Sequence, residues 1–130
     1  MIVDTSAIMA MLLEEPEADE MLRLMIAAPT RRMSAGTWVE LGTVLVRRRD
    51  PELARRAERI LPGLRIDLVP VTVAQAAIGR QGYREYGRGS DPPAQLNFGD
   101  CFAYALAKET GEPLLFKGDD FVHTDVTRAA

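Results

Sequence analysis

The chain has 130 residues, which suffice for one domain with its own core and without stabilising disulfides. A formal net charge of −3 argues against a protein that coats nucleic acid through bulk positive charge. Cys101 is the only cysteine, so no internal disulfide is possible and we expect a reducing compartment. No apolar run is long enough to span a membrane and no signal peptide is recognisable. The sequence therefore predicts a cytoplasmic protein with no membrane partner.

The first predicted element is a short apolar strand, Met1–Val3, with a helix that continues from Ala7. Asp4 lies at the junction between them. In an open α/β sheet the carboxyl ends of the strands form the edge where ligands bind, so Asp4 is a candidate site residue. Asp4 could equally cap the helix, as could Thr5 or Ser6, and the sequence leaves both roles open.

A helical hairpin is predicted next, and its second helix carries Met21 and Met25 at helical spacing. A short strand over Arg32–Ser34 leads into a third helix that opens at Gly36. Glu40 is unusual because it lies among apolar neighbours in this helix, and burial of an unpaired carboxylate is costly. The helix dipole or a metal ion could stabilise it, and the metal is the favoured interpretation.

Asp50 followed by Pro51 predicts a fourth helix, which runs to about Leu61, and a strand over residues 65–71 follows it. Thr72 would cap a fifth helix. Three arginines continue from that helix at i, i+4 and i+8 spacing, on one helical face. Guanidinium groups suit phosphate contacts, so this row is expected to bind substrate, although GC-rich coding explains the general excess of arginine more simply. The three are Arg80, Arg84 and Arg88.

The loop over residues 87–93 is rich in glycine and proline, which predicts a flexible segment able to border a substrate. A largely apolar helix over Phe98–Glu109 follows it and should be buried on most of its circumference. Asn97 is the predicted N-cap, and Asp100 would lie in the first turn. Taken alone, Asp100 is explained as a capping carboxylate.

Gly111 and Pro113 predict the end of this helix, and a short buried strand over Leu114–Phe116 comes next. Asp119 and Asp120 therefore follow the carboxyl end of a strand, as Asp4 does. A turn is the simple alternative for this pair, since glycine and aspartate are common in turns.

The order of the elements predicts an α/β fold with a mostly parallel central sheet and helices on both faces. Asp4, Glu40, Asp100 and one of the later aspartates would then meet at one edge of the sheet. Four carboxylates repel one another unless they are protonated or bridged by a cation, and oxygen ligands favour Mg²⁺ or Mn²⁺ over zinc. Because Mg²⁺ keeps several of its waters, one or two carboxylates are expected to bind it directly.

Three stretches, with the helical Glu40 between the first two, resemble PIN-domain ribonucleases of the VapC toxin type: Met1–Ala7, Asn97–Ala107, and Leu114–Phe121 with Thr124 and Asp125. The resemblance runs through the whole chain, and the segment around Asp100 is its most specific part. It implies a single PIN domain over residues 1–130 with a three-layer fold. It also implies an Mg²⁺-dependent endoribonuclease, the toxin of a toxin–antitoxin pair, which cleaves RNA needed for translation and is inhibited by a VapB-like antitoxin.

The resemblance further implies the roles of individual residues. The catalytic acids are Asp4, Glu40, Asp100 and Asp119, with Asp4 and Asp100 as metal ligands and Thr5 and Ser6 supporting on the substrate side. Many such proteins have Thr or Ser before the final acid, whereas this chain has Lys117-Gly118, so Asp120 stays an alternative for the fourth place.

A homodimer is expected from the same resemblance and from an apolar surface around Met21 and Met25, with a heterotetramer or larger assembly when the antitoxin is bound. The dimer surface itself is not assigned.

Other classes fit the sequence less well. A ribonuclease that uses paired histidines is excluded, because His123 is the only histidine. A phosphoaspartate phosphatase needs a second acid two residues after the first, where this chain has Ser6, and a receiver domain needs acids paired beside the first strand. A catalytically silent PIN-like binding module stays open on sequence alone.

Overall fold

The computed structural model describes residues 1–89 and 94–129. The predicted flexible loop lies partly outside them, at residues 90–93. In chain order the elements are β1 (Ile2–Val3), α1 (Thr5–Leu12), α2 (Ala18–Ala27), β2 (Arg32–Ser34), α3 (Ala35–Arg47), α4 (Pro51–Leu64), β3 (Asp67–Val69), α5 (Val73–Tyr86), α6 (Asp100–Thr110) and β4 (Leu114–Leu115).

The four strands form one parallel sheet in the order β3-β2-β1-β4. Ile2 pairs with Arg32 on one side and with Leu114 on the other, so β1 lies inside the sheet. The last described residues extend the sheet beyond β4, because Leu114 N–H donates to the Thr127 carbonyl and Ala129 N–H to the Leu114 carbonyl. The prediction of an α/β fold with a parallel sheet is confirmed.

Side chains of β1 and β4 alternate between two hydrophobic cores, as the two-residue period of a strand requires. Val3 and Leu115 enter one core, whereas Ile2, Leu114 and Phe116 enter the other. The first core is covered by α1, α2, α3 and α4, and the second by α6 with a smaller share from α5. The molecule therefore has three layers, with the sheet between two sets of helices.

Met21 and Met25 belong to the first core, where they are 5% and 0% exposed. They point inward because α2 packs its apolar stripe against α1 in this core. The expectation that they leave an apolar surface for a dimer was therefore wrong.

Two helices have boundaries that differ from the prediction. α4 continues past Leu61 and through Pro62, since a proline near the end of a helix removes a backbone donor without forcing the chain out of helical φ. α6 begins at Asp100 instead of Phe98, and its N-cap residue is Gly99 instead of Asn97, although the Asn97 side chain accepts a hydrogen bond from the Asp100 N–H. Among the described helices, none has both the length and the apolar character needed to cross a bilayer.

Candidate functional site

Asp4 follows β1 directly and is the N-cap residue of α1. Its Oδ2 accepts hydrogen bonds from the backbone N–H of Ser6 at 3.0 Å and from the Ser6 hydroxyl at 2.7 Å. Its Oδ1 is buried and has no hydrogen-bond partner. Burial raises the pKa of Asp4 to about 6, with a further contribution from the charge of Glu40, while the hydrogen bonds from Ser6 act in the opposite direction. Asp4 therefore combines a cap with an unsatisfied carboxylate oxygen.

Asp100 opens α6 and is only 5% exposed. It forms a reciprocal pair with Asn97: the Asn97 N–H donates to Asp100 Oδ2 and the Asp100 N–H donates to Asn97 Oδ1, each at 2.9 Å. Burial is the main cause that raises the pKa of Asp100 to about 8. The negative charges of Asp4, Asp120 and Glu40 add to this effect. The structure thus brings both proposed metal ligands into one electrostatic cluster.

Glu40 projects from α3 and is partly buried. Its Oε1 accepts a hydrogen bond of 2.6 Å from the Thr5 hydroxyl, which also lies 3.5 Å from the Thr37 carbonyl. The sequence had offered a helix dipole or a metal as the partner of Glu40. A hydroxyl on α1 is the partner that the structure shows, and it links the first and third helices at the acidic site.

The two later aspartates differ in their surroundings. Asp120 is partly buried, and its charge is among the causes that raise the pKa of Asp100. Asp119 is exposed, and its carbonyl accepts a hydrogen bond from the Val122 N–H in a turn. The electrostatic effect on Asp100 makes Asp120 the stronger candidate for the fourth acid.

Ser6 connects the site to the loop after β4. Its hydroxyl donates to Asp4 and accepts a hydrogen bond of 3.0 Å from the backbone N–H of Lys117. The Lys117 ammonium in turn forms an ion pair with Glu15 and lies 3.6 Å from Glu17. Sequence reasoning assigned Thr5 and Ser6 to the substrate, whereas the structure shows both hydroxyls bound to the acids themselves. The contacts of Thr5 with Glu40 and of Ser6 with Lys117 join distant parts of the chain and leave no local sequence signal.

The fit of the acids to a metal ion depends on how closely they converge. In residues 1–89 and 94–129, no three Asp, Glu, His or Cys side chains converge closely enough to hold one ion together. Asp4 and Asp100 are nevertheless suited to a hydrated divalent cation, because Asp4 Oδ1 lacks a partner and the charges repel. Mg²⁺ is commonly bound through one or two carboxylates and several waters, so this pair fits it.

The arginine row is only partly gathered at one place. Arg80 and Arg84 line a groove of about 660 Å³ whose wall includes Phe98 and Phe102. Phe98 is 77% exposed, and Cys101, which follows Asp100 in the chain, also lines the groove, whereas Asp4, Glu40, Asp100 and Asp120 do not. Arg88 is exposed but does not line this groove.

Comparisons with known proteins find matches over nearly the whole chain. A family model described as PIN domain matches residues 1–126. Ribonuclease VapC42 of Mycobacterium tuberculosis is 49% identical over 129 residues, which cover 99% of this chain and 98% of that protein. Ribonuclease VapC28 of the same species is 47% identical, with coverage of 99% and 97%.

Solved structures share the fold. The toxin VapC20 of Mycobacterium tuberculosis, described as cleaving the sarcin-ricin loop, has a TM-score of 0.69 and 20% identity, with coverage of 97% of this chain and 95% of that one. VapBC2 from Rickettsia felis, bound to a DNA fragment from its promoter, has a TM-score of 0.70 and 12% identity. The match covers 98% of this chain and 94% of that one. A toxin–antitoxin complex from Klebsiella pneumoniae has a TM-score of 0.68 and 19% identity. The match covers 95% of this chain and 92% of that one.

Proposed function

Because the chain belongs to the PIN-domain family, we propose that it is the endoribonuclease toxin of a VapBC-type toxin–antitoxin pair and that cleavage depends on Mg²⁺. The observation that carries the metal dependence is the pair Asp4 and Asp100. Both carboxylates are buried, both have raised pKa values, and Asp4 Oδ1 has no hydrogen-bond partner among the described residues. A divalent cation, with Mn²⁺ as an alternative to Mg²⁺, would offset this repulsion and satisfy the free oxygen.

The chain's own residues then divide the work of hydrolysing a phosphodiester bond. When bound, Mg²⁺ supplies positive charge against the negative charge that develops on the reacting phosphate, and it makes water more acidic. Asp4 and Asp100 would hold the ion, with Ser6 fixing the orientation of Asp4. We assign to Glu40 and Asp120 the role of accepting the proton of the attacking water, with Thr5 holding the Glu40 carboxylate.

Asp120 takes the fourth acidic position in this proposal, because it is the later aspartate whose charge acts on Asp100. Asp119 forms part of the exposed turn. Arg80 and Arg84 are proposed to bind RNA phosphates, because their guanidinium groups border the groove beside Phe98.

The proposed partners are RNA, a VapB-like antitoxin and a second copy of the chain, with a heterotetramer or larger assembly in the inhibited state. An arginine of the antitoxin inserted among Asp4, Glu40 and Asp100 would replace the cation, because a guanidinium can pair with carboxylates that repel one another. Alanine replacement of each arginine in the antitoxin's binding segment tests this point. Unchanged inhibition by every variant would exclude displacement by arginine.

The decisive experiment incubates the purified protein with total RNA, with Mg²⁺ or with EDTA, and maps the new 5′ ends. We expect discrete ends that appear only with Mg²⁺ and disappear in Asp100→Asn. Asp120→Asn should lower cleavage strongly, and Asp119→Asn serves as the matched control with near-normal activity. RNA binding without any cleavage would instead indicate a catalytically silent binding module.

A further inference from the structure

Gly99 immediately precedes Asp100 and is the N-cap residue of α6. Its backbone has φ −62° and ψ −36°, which is the ordinary right-handed helical region that every residue type can adopt. By contrast, Gly111 and Gly118 have φ values of 71° and 94°, where glycine is strongly favoured. Backbone conformation therefore does not explain why residue 99 is a glycine.

Space explains it. A Cβ atom placed on residue 99 would overlap the Cδ and Oε2 atoms of Glu40 and would lie 3.2 Å from Oε1. The Glu40 carboxylate thus rests directly against the backbone of residue 99. Its other contact is the hydrogen bond from Thr5, so the carboxylate is held between α1 and the start of α6.

The packing of α3 against α6 makes this contact hard to avoid. Gly36, near the start of α3, also lacks room for a Cβ, because the Phe102 ring of α6 occupies that space. The start of α3 is therefore in close contact with α6 at Gly36 and Phe102, and Glu40 of α3 meets the residue before α6. A side chain at residue 99 could be accommodated only if Glu40 turned outwards, which its partly exposed position permits.

We propose that Gly99 is a positioning residue of the nuclease: the missing side chain at residue 99 lets the Glu40 carboxylate lie beside Asp100. This inference rests on the proposed function, in which Glu40 is a catalytic residue. A methyl group at residue 99 would move that carboxylate out of the site and leave Asp4 and Asp100 in place.

The first test is Gly99→Ala, with far-UV circular dichroism to confirm the fold. We expect RNA cleavage to fall at least tenfold and the affinity for Mn²⁺, measured by isothermal titration calorimetry, to fall at least threefold. Gly42→Ala is the matched control, because Gly42 lies on the same helix as Glu40 and a Cβ there meets nothing within 4 Å. Wild-type cleavage and Mn²⁺ affinity in a folded Gly99→Ala protein would overturn the proposal.

A double-mutant cycle separates positioning of Glu40 from a general effect on the fold. In a Glu40→Ala background the clash is absent, so Gly99→Ala should leave the Mn²⁺ affinity unchanged. An equal loss in both backgrounds would overturn the proposal. If Gly99→Ala does not fold, recovery of the fold in Gly99→Ala/Glu40→Ala supports the clash, and failure of both overturns it.

Partial rescue provides a third readout. Glu40→Asp shortens the side chain by one methylene, so the double variant Gly99→Ala/Glu40→Asp should cleave RNA faster than Gly99→Ala alone. No recovery would count against the proposal. Mn²⁺ titration does not require RNA cleavage. Wild-type protein that binds Mn²⁺ without cleaving RNA would therefore refute the proposed function, while the double-mutant cycle would still test the contact between Gly99 and Glu40.

Discussion

Replacement of Asp100 by asparagine should stabilise the metal-free protein while it abolishes cleavage. The folded protein raises the pKa of Asp100 from 3.8 to about 8, so at pH 7 the unfolded chain gains ionisation that the folded chain largely lacks. The ordinary pKa of 3.8 lies about 3.2 pH units below pH 7. At 1.36 kcal/mol per unit, keeping Asp100 protonated in the folded state at pH 7 costs about 4 kcal/mol in the free energy of unfolding. Because Asp4 shares part of the same repulsion, we expect a measured gain of about 2–4 kcal/mol in the free energy of unfolding.

The sign of the pH dependence follows from the same shift. A carboxyl group with a raised pKa in the folded state contributes most stability below its unfolded pKa, and this contribution is lost as pH rises towards 8. At pH 4 the interval shrinks to about 0.2 units, so the difference between wild type and Asp100→Asn should fall below about 1 kcal/mol. Asparagine keeps an oxygen that can accept the hydrogen bond from the Asn97 N–H.

The assay is urea unfolding followed by circular dichroism, in EDTA, at pH 4 and pH 7. Asp119→Asn is the matched control, because its exposed side chain should change stability by less than about 0.5 kcal/mol. Added Mg²⁺ should stabilise the wild type and not Asp100→Asn. A variant less stable than wild type at pH 7, or a difference that stays constant between pH 4 and pH 7, would refute the reasoning.

Three further changes test other parts of the site. Ser6→Ala removes the hydroxyl between Asp4 and the Lys117 N–H, so we expect a loss of about 1–3 kcal/mol in urea unfolding, against almost none for the exposed Thr43→Ala. The affinity for Mn²⁺ should rise between pH 6 and pH 8, because Asp4 and Asp100 must lose their protons to bind the ion; calorimetry that shows no pH dependence would contradict this. Tyr104→Phe removes the hydrogen bond of 2.8 Å to Asp125 and should cost about 1 kcal/mol in urea unfolding without changing cleavage; a large loss of activity would show that this pair reaches the site.

Local signals in the sequence were sufficient for most elements. Asp50 caps α4, with Pro51 at its first position, and Thr72 caps α5 because its hydroxyl accepts a hydrogen bond from the Gln75 N–H. Gly111 ends α6 in a left-handed conformation. These predictions succeeded because each depends on residues within one turn of one another.

Contacts between distant parts of the chain were not predictable in the same way. The Thr5 hydroxyl and the Glu40 carboxylate are 35 residues apart, and their hydrogen bond depends on how α3 packs against α1. The choice between Asp119 and Asp120 depends on the direction that the chain takes after Gly118, whose φ is 94°. The order of residues in this turn does not show which of the two side chains faces the other acids. The inward position of Met21 likewise depends on how α2 packs in the first core.

The order of the strands has a consequence for synthesis on the ribosome. β1 lies at the start of the chain, yet it pairs with β4, through contacts such as Ile2 with Leu114. Asp4 comes from the same early segment, whereas Asp100 and Asp120 come from the late one. Such non-local pairing forms slowly, and it requires that β4 has left the exit tunnel. A nascent chain from which β4 and Asp120 have not yet emerged therefore carries no assembled acidic site.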